Sequence, residues 1–196
     1  MKTYTLPCLE KIDWSGCETQ TIDQCIWSPN AAPAAAVQGL YLIDEAIVFR
    51  LVSSAAPSRA VNTEPDSAVW EDSCLEAFFS FDGESYVNLE VNANSALRAS
   101  FGPDRHGRKF LKDMAIPMPT VQASQRADSW EIIVSIPLEM IKEVWGKLPK
   151  RGDSFTANFY SCGDRTPLPH YAAWNKVGTE SPDFHRPEFF GKIIIG

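Results

Sequence analysis

Apolar and polar residues alternate along most of the chain with the two-residue period of β-strands. The clearest case is the segment 130–136, where every second side chain is apolar. Three short polar triplets, at 44–46, 82–84 and 127–129, separate neighbouring strand patterns and predict hairpin turns. The other predicted strands cover residues 37–43, 47–53, 75–81, 86–92, 97–101, 121–126, 155–162 and 189–195.

One helix is predicted after the third hairpin. Pro137 suits a first helical position, Leu138, Ile141 and Trp145 share one stripe, and Gly146 suits a helix stop. A single short helix among roughly eight to eleven strands predicts an all-β fold, a two-sheet antiparallel β-sandwich of immunoglobulin or jelly-roll type. The length of 196 residues fits one domain, residues 1–196.

The second hairpin, 75–92, predicts a sheet face with unusual chemistry. Its apolar alternate residues face the core, and the other face carries Glu76, Phe78, Ser80, Tyr86, Asn88, Glu90 and Asn92. For core residues to face core residues, the loop must hold an odd number of residues. A three-residue loop places Glu76 directly opposite Glu90, and a loop two residues longer places Glu76 opposite Asn92.

Like charges opposite each other on a sheet destabilise it by up to about 1 kcal/mol. The pair Glu76 and Glu90 therefore indicates either a functional site or a solvated outer face that Arg98 bridges. Asn158 and Tyr160 point the same way from the strand 155–162, and would widen this polar face if their strand neighbours the hairpin. Flat polar side chains of this kind suit the paired hydroxyl groups of sugars.

Three segments together resemble the carbohydrate-binding modules of family 9, particularly the stand-alone bacterial members. They are WEDSCLEAF at 70–78, YVNLEVN at 86–92 and DFHRPEFFG at 183–191. The segments ANFY at 157–160 and HYAAW at 170–174 are also similar, and the resemblance extends from about Trp27 onward. It implies a β-sandwich that binds a mono- or oligosaccharide without transforming it.

The resemblance also implies a site in which two aromatic rings hold a sugar unit between them. By position, Trp70 is the first ring and Phe184 the second, where the xylanase-linked members have Trp. Because Phe offers less area and no N–H group, weaker stacking is expected at that wall.

Polar sugar contacts fall, by position, at Glu76, Asn88 and Tyr160. Glu90 departs from the family pattern, since the xylanase-linked members carry a basic residue there. Family-9 modules also hold structural calcium, but no Asp-rich loop in this sequence identifies ligands for it. No other cofactor is predicted.

Two other functions compete with this hypothesis. A glycoside hydrolase could use Glu76 with Glu90 or Glu71 as acid and base, although the sequence shows no apolar pocket that would raise the pKa of one carboxyl. A haem or redox-accessory domain of related fold would need Met114 or Met118 as an axial ligand together with a histidine. Non-catalytic saccharide binding is the preferred hypothesis, so the protein is not expected to be an enzyme.

Composition and charge bear on the binding partners and the location of the protein. The formal net charge is −7 without a basic stripe, which argues against nucleic acid and anionic membranes as partners. No run has membrane-spanning length, and the first residues lack a secretory signal. A cytoplasmic location is expected for the chain as written, or an extracellular or periplasmic one if a leader was removed.

Five cysteines, an odd number without close spacing, predict free thiols rather than a disulfide framework. His170 and His185 fit no zinc-binding spacing, so they are interpreted as structural and no metal site is predicted. The tryptophans other than Trp70 are assigned to the core or its rim: Trp14, Trp27, Trp130, Trp145 and Trp174.

Overall fold

The computed structural model describes residues 1–196 and contains two packed β-sheets, which confirms the predicted sandwich. It also contains one α-helix, α1 (Leu138–Trp145). The strands are β1 (Thr3–Leu6), β2 (Cys8–Leu9), β3 (Gln20–Ile22), β4 (Gln24–Cys25), β5 (Ala35–Leu42), β6 (Ala46–Ser53), β7 (Cys74–Ser80), β8 (Tyr86–Asn92), β9 (Leu97–Gly102), β10 (Lys109–Phe110), β11 (Thr120–Gln125), β12 (Trp130–Pro137), β13 (Ser154–Cys162), β14 (Tyr171–Ala173) and β15 (Gly191–Ile195).

The larger sheet has the order β1-β15-β13-β7-β8-β9-β10. It also contains β14, which pairs with β13, and β4, which pairs with β14. The smaller sheet has the order β11-β12-β6-β5-β2, with β3 also paired to β5. Most pairs are antiparallel, but β1–β15 and β2–β5 are parallel, so both sheets are mixed. The parallel pairs involve short N-terminal strands that the alternation pattern does not predict.

The three predicted hairpins are present, joining β5 to β6, β7 to β8 and β11 to β12. In the first hairpin Ala46 pairs with Leu42, so the loop is Ile43-Asp44-Glu45, one residue earlier than predicted. Asp44 accommodates the turn at a φ of 58°. Asp is among the residues that tolerate this left-handed region without glycine.

The helix begins directly after β12, and Pro137 is its capping residue rather than its first residue. Gly146 ends it in the left-handed region, at a φ of 68°, and its N–H donates to the Lys142 carbonyl at 2.7 Å. This is the usual role of a glycine at a helix C-terminus. No helix in the chain has the length and hydrophobicity needed to cross a membrane.

The main core lies between the two sheets and comprises 32 buried residues. Phe49 of the smaller sheet meets Phe159 of the larger one edge-on, with ring centroids 4.9 Å apart. Trp145 closes one end of this core against Phe81 and Phe101, at centroid distances of 5.2 and 5.4 Å. Side chains from the inner faces of both sheets therefore interdigitate to form one core.

Gly39 allows the first strand to pack tightly against the smaller sheet. Its N–H donates to the Tyr4 hydroxyl at 2.8 Å, and that hydroxyl donates in turn to the Glu18 carbonyl at 2.8 Å. A Cβ atom at position 39 would lie 2.7 Å from the Phe49 ring and 2.8 Å from the Leu6 side chain. Only glycine fits this close approach.

We expect Gly39→Ala to lower the free energy of unfolding by about 1–3 kcal/mol, because the added methyl group overpacks the core. Urea denaturation followed by tryptophan fluorescence measures this change. Gly16→Ala is the matched control, since a Cβ atom there meets nothing within 4 Å. Equal stabilities of the two variants would contradict the assigned packing.

Candidate functional site

A row of four side chains crosses the outer face of the larger sheet, the face that points away from the smaller sheet. Tyr160 on β13 lies opposite Glu76 on β7, Glu76 opposite Glu90 on β8, and Glu90 opposite Arg98 on β9. The structure therefore adopts the first of the two predicted registers. Two carboxyl groups lie side by side in the middle of the sheet.

Loops cover this outer face. One of the two interpretations of the sequence, a solvated face on which Arg98 bridges the two glutamates, is therefore wrong. Glu76 is only 2% exposed and Glu90 only 3%. A second hydrophobic cluster of 12 buried residues forms beneath the cover: Ile26, Val69, Cys74, Phe78, Tyr86, Ala96, Tyr160, Cys162, Ala173, Val177, Phe184 and Phe190. The domain thus has a third layer, made of loops, above its larger sheet.

A cavity of about 220 Å³ remains between the sheet and the covering loops. Glu76 and Glu90 line it from the sheet, and its aromatic lining consists of Trp27, Trp70, Tyr171 and Phe184. Exposed Arg105 and His106 also line it, and they mark its mouth. Four further charged side chains in the lining are half-buried: Arg98, Arg108, Asp164 and Asp183.

Trp70 stands at one end of the four-residue row. It belongs to a 3-10 turn, Val69–Glu71, immediately before β7, and its side chain is half-buried. The Arg98 guanidinium carbon lies 4.9 Å from the centroid of the Trp70 ring and an equal distance from that of Phe110. A cation over the face of a tryptophan is attracted by the ring quadrupole, which stabilises both side chains at the cavity edge.

A buried aspartate fixes the loop that carries Trp70. Oδ2 of Asp72 accepts hydrogen bonds from the Asn62 backbone N–H at 2.9 Å, the Asn62 side chain at 3.0 Å and the Asn92 side chain at 2.8 Å. Burial raises the pKa of Asp72, but these hydrogen bonds outweigh it and hold the pKa below its usual value. The loop is thereby attached to the end of β8.

Phe184 stands at the other end of the row, above Tyr160. The two rings stack with centroids 4.0 Å apart and planes 15° from parallel. The Tyr160 hydroxyl donates to the Phe184 carbonyl at 3.1 Å. Tyr160 is fully buried and does not reach the cavity, so it supports Phe184 rather than lining the site.

Trp27 extends the aromatic wall beside Phe184. The two ring centroids are 5.4 Å apart, and the Trp27 indole N–H donates to the Thr179 carbonyl at 2.7 Å. Trp27 has a φ of 60°, unusual for a bulky residue. The sequence pattern predicts a position in the core or its rim for this tryptophan, and the structure places it in the cavity lining.

The two glutamates each accept a hydrogen bond from a buried neighbour. Cys162 donates its thiol hydrogen to Glu76 Oε1 at 3.1 Å, and Asn88 donates its amide to Glu90 Oε1 at 2.9 Å. Burial, and next the charge of Glu90, raises the pKa of Glu76 well above its usual value. Burial also raises the pKa of Glu90, to about 7, although Arg98 and Arg108 oppose the shift. The pair therefore holds a proton up to a higher pH than an exposed carboxyl group does.

The sequence predicts no apolar pocket around these carboxyl groups, and this prediction is wrong. The covering loops exclude water from Glu76 and Glu90, which is the environment that raises a carboxyl pKa. Short-range alternation along β7 and β8 does not reveal such a cover, because the loops come from distant parts of the chain.

Arg108 and His185 form the polar wall next to Glu90. Arg108 donates to Asn88 Oδ1 at 2.7 Å and to His185 Nδ1 at 3.0 Å, and the Tyr86 hydroxyl also lies 3.0 Å from that nitrogen. Since Arg108 can only donate, His185 Nδ1 is an acceptor and the ring is neutral with its proton on Nε2. Burial and then Arg108 lower the pKa of His185 to about 2.

The chain is matched by the family model described as carbohydrate-binding family 9, over residues 8–195. It belongs to this family. The resemblance drawn from three short segments is therefore confirmed over nearly the whole chain. No curated protein matches the sequence.

Solved structures share the fold. A proposed carbohydrate-binding protein from Bacteroides uniformis is 23% identical, with a TM-score of 0.80 and coverage of 100% of this chain and 99% of that one. A family-9 module from Caldicellulosiruptor kristjanssonii in complex with glucose is 12% identical, with a TM-score of 0.65 and coverage of 100% and 96%. A family-9 module from the same organism in complex with cellotriose is 13% identical, with a TM-score of 0.63 and coverage of 99% and 93%.

The structure brings four of the six predicted site residues to the cavity: Trp70, Glu76, Glu90 and Phe184. The other two, Asn88 and Tyr160, are fully buried behind its wall. Several other lining residues were not predicted from the sequence: Trp27, Arg98, Arg105, His106, Arg108, Cys162, Asp164, Tyr171, Asp183 and His185. A signal was available for Tyr171, Asp183 and His185, because these three lie in segments that resemble the family.

Glu76→Gln should stabilise the protein more at about pH 8 than at about pH 5. In the folded state the pKa values of Glu76 and Glu90 exceed the ordinary 4.5, and that of Glu90 is about 7. The folded protein therefore keeps protons that the unfolded chain has released, and stability present below about pH 4.5 is lost as the pH rises through 7. Gln removes the repulsion that causes this loss.

Chemical denaturation of chelator-dialysed protein at both pH values measures the effect. His185 contributes with the opposite sign, because its lowered pKa costs stability below about pH 6.5, but this contribution cancels in the difference between variant and wild type. Glu143→Gln, on the exposed face of the helix, is the control. A Glu76→Gln effect that is equal at both pH values would contradict the raised pKa values.

Proposed function

We propose that the protein binds one saccharide unit in the cavity, between Trp70 on one side and Phe184 with Trp27 on the other, without transforming it. The observation that carries this proposal is the arrangement of the four-residue row. Trp70 contacts Arg98 at one end, Phe184 stacks on Tyr160 at the other, and the two glutamates lie between them.

The dimensions support a single sugar ring. Four adjacent strands span about 14 Å, so the aromatic side chains above the two ends leave a gap over the middle pair. A cavity of about 220 Å³ is smaller than the roughly 300–1,000 Å³ of pockets for drug-sized ligands. One pyranose would occupy it, and the remainder of an oligosaccharide would extend through the mouth near Arg105.

The polar lining matches the hydroxyl groups of a sugar. Glu76 and Glu90 offer carboxyl oxygens as acceptors, while Arg108 and Arg98 offer N–H donors beside them. Sugar C–H faces would pack on the aromatic rings, each contact adding about 1 kcal/mol beyond area burial. After the entropy cost of association, a dissociation constant between about 1 µM and 1 mM is expected.

Family membership and the structural neighbours agree with a saccharide ligand. Two of the neighbours are structures of a family-9 module with glucose and with cellotriose. Glucose and β-linked glucose oligomers are therefore the first ligands to test for this chain.

Trp70→Ala should weaken saccharide binding at least about 10-fold, because it removes one wall of the cavity. Isothermal titration with glucose, cellobiose, cellotriose and a wider glycan panel measures the affinity, with and without calcium to test the expected structural ion. Trp14→Ala is the matched control, since Trp14 is half-buried against a separate hydrophobic cluster on the smaller sheet, formed by Cys17, Leu40, Leu42, Ala46 and Val48. Wild-type affinity in the Trp70 variant, or no glycan bound by folded wild-type protein, would overturn the proposal.

Glycoside hydrolysis is the second candidate, and the opposed, buried pair of Glu76 and Glu90 favours testing it. Directly opposite residues on antiparallel strands have Cβ atoms about 4.5–5.5 Å apart. Retaining glycosidases place their carboxyl groups about 5–5.5 Å apart. If the wild type releases reducing sugar and Glu76→Gln does not, the protein is a glycoside hydrolase and the non-catalytic proposal is wrong. If the wild type releases none, the result supports non-catalytic binding.

A further inference from the structure

Two cysteines and a glutamate converge beside the cavity. Cys74 and Cys162 lie directly opposite each other on β7 and β13, and Glu76 follows Cys74 by two residues on the same face. The two sulfur atoms and a Glu76 carboxylate oxygen all lie within 4.8 Å of one another. All three side chains are buried, with exposures of 1%, 2% and 2% for Cys74, Cys162 and Glu76.

These donors differ from those of a calcium or magnesium site, which is built from oxygen ligands. Two sulfur ligands and one carboxylate suit Zn²⁺, which takes Cys, His and carboxylate ligands in tetrahedral sites. Zinc sites with three protein ligands keep the fourth position open for water or another ligand. Here Cys162 and Glu76 both line the cavity, so an open position would face it and the cavity would provide the route of entry.

No cationic side chain forms an ion pair with Glu76, although Arg98, Arg105 and Arg108 line the same cavity. Glu90 lies opposite Glu76, and Asp164 lines the same cavity. None of the ion pairs in the structure involves Glu76 or Glu90. The nearby arginines bond to other groups, since Arg98 donates to the Asp66 carbonyl and Arg108 donates to Asn88. A divalent ion held by the two thiolates and Glu76 would offset the repulsion between the glutamates.

We propose that Cys74, Cys162 and Glu76 form a binding site for Zn²⁺, with its fourth coordination position directed into the cavity. Both thiols release their protons to solvent when the ion binds, and so does the Glu76 carboxyl group where it is protonated, because all three ligands coordinate the ion in their deprotonated forms. The site does not depend on the saccharide function, because its three ligands and their spacing are independent of any sugar. The two proposals can therefore fail separately.

Titration of the reduced, full-length protein with Cd²⁺ tests the site without a saccharide. We expect a saturable thiolate-to-cadmium charge-transfer band at one ion per chain, and displacement of Cd²⁺ by Zn²⁺. Cys74→Ser and Cys162→Ser should each remove about half of the band and weaken Zn²⁺ binding at least about 100-fold, since even outer-shell changes cost 10–100-fold. Glu76→Gln should keep the band and weaken Zn²⁺ binding about 10-fold.

Cys17→Ser is the matched control, because Cys17 is another buried free thiol, located in the cluster on the smaller sheet. A measurement on the wild type needs no substitution: Zn²⁺ should slow alkylation of Cys74 and Cys162, mapped by mass spectrometry, while exposed Cys25 reacts at an unchanged rate. Absence of a saturable band, a band that survives both serine substitutions, or no protection of either thiol would overturn the proposal.

Discussion

The parity of the β7–β8 hairpin is the constraint on which the site depends. Because side chains alternate across a strand, the register that buries the apolar residues of both strands necessarily presents their other side chains together on the opposite face. That register sets Glu76 against Glu90. A slip by one residue would place these carboxyl groups in the hydrophobic core between the sheets, so core packing itself holds them in position against their mutual repulsion.

The central strands and the single helix could be predicted because their sequences contain complete local signals. The alternation from Trp130 to Ile136 and the stop at Gly146 are examples. The short strands β1 to β4, β10 and β14 have two to four residues, too few for a period to emerge. They form because neighbouring strands offer unpaired backbone groups, which is a tertiary effect.

The candidate site was only partly predictable for a related reason. Trp70 and Glu76 are six residues apart, so one family-like segment identified both. Trp27 reaches the cavity through contacts with Phe184, more than 150 residues away in the chain, and no local pattern reports such a contact. The burial of the site was not predictable either, because a polar alternation on an outer face is typical of a solvent-exposed surface. Loops that precede β5 and β7 and follow β13 cover this face.

The carboxylate of Asp72 has a consequence for the thermodynamics of recognition. It ties the segment before β7 to Asn62 and Asn92 by hydrogen bonds and to Arg59 by an ion pair, so the indole beside it is held in place before any ligand arrives. The Tyr160 stack does the same for the opposite ring. Such preorganisation removes much of the ordering entropy that a mobile loop would lose on association, and leaves a larger share of the contact energy as net affinity.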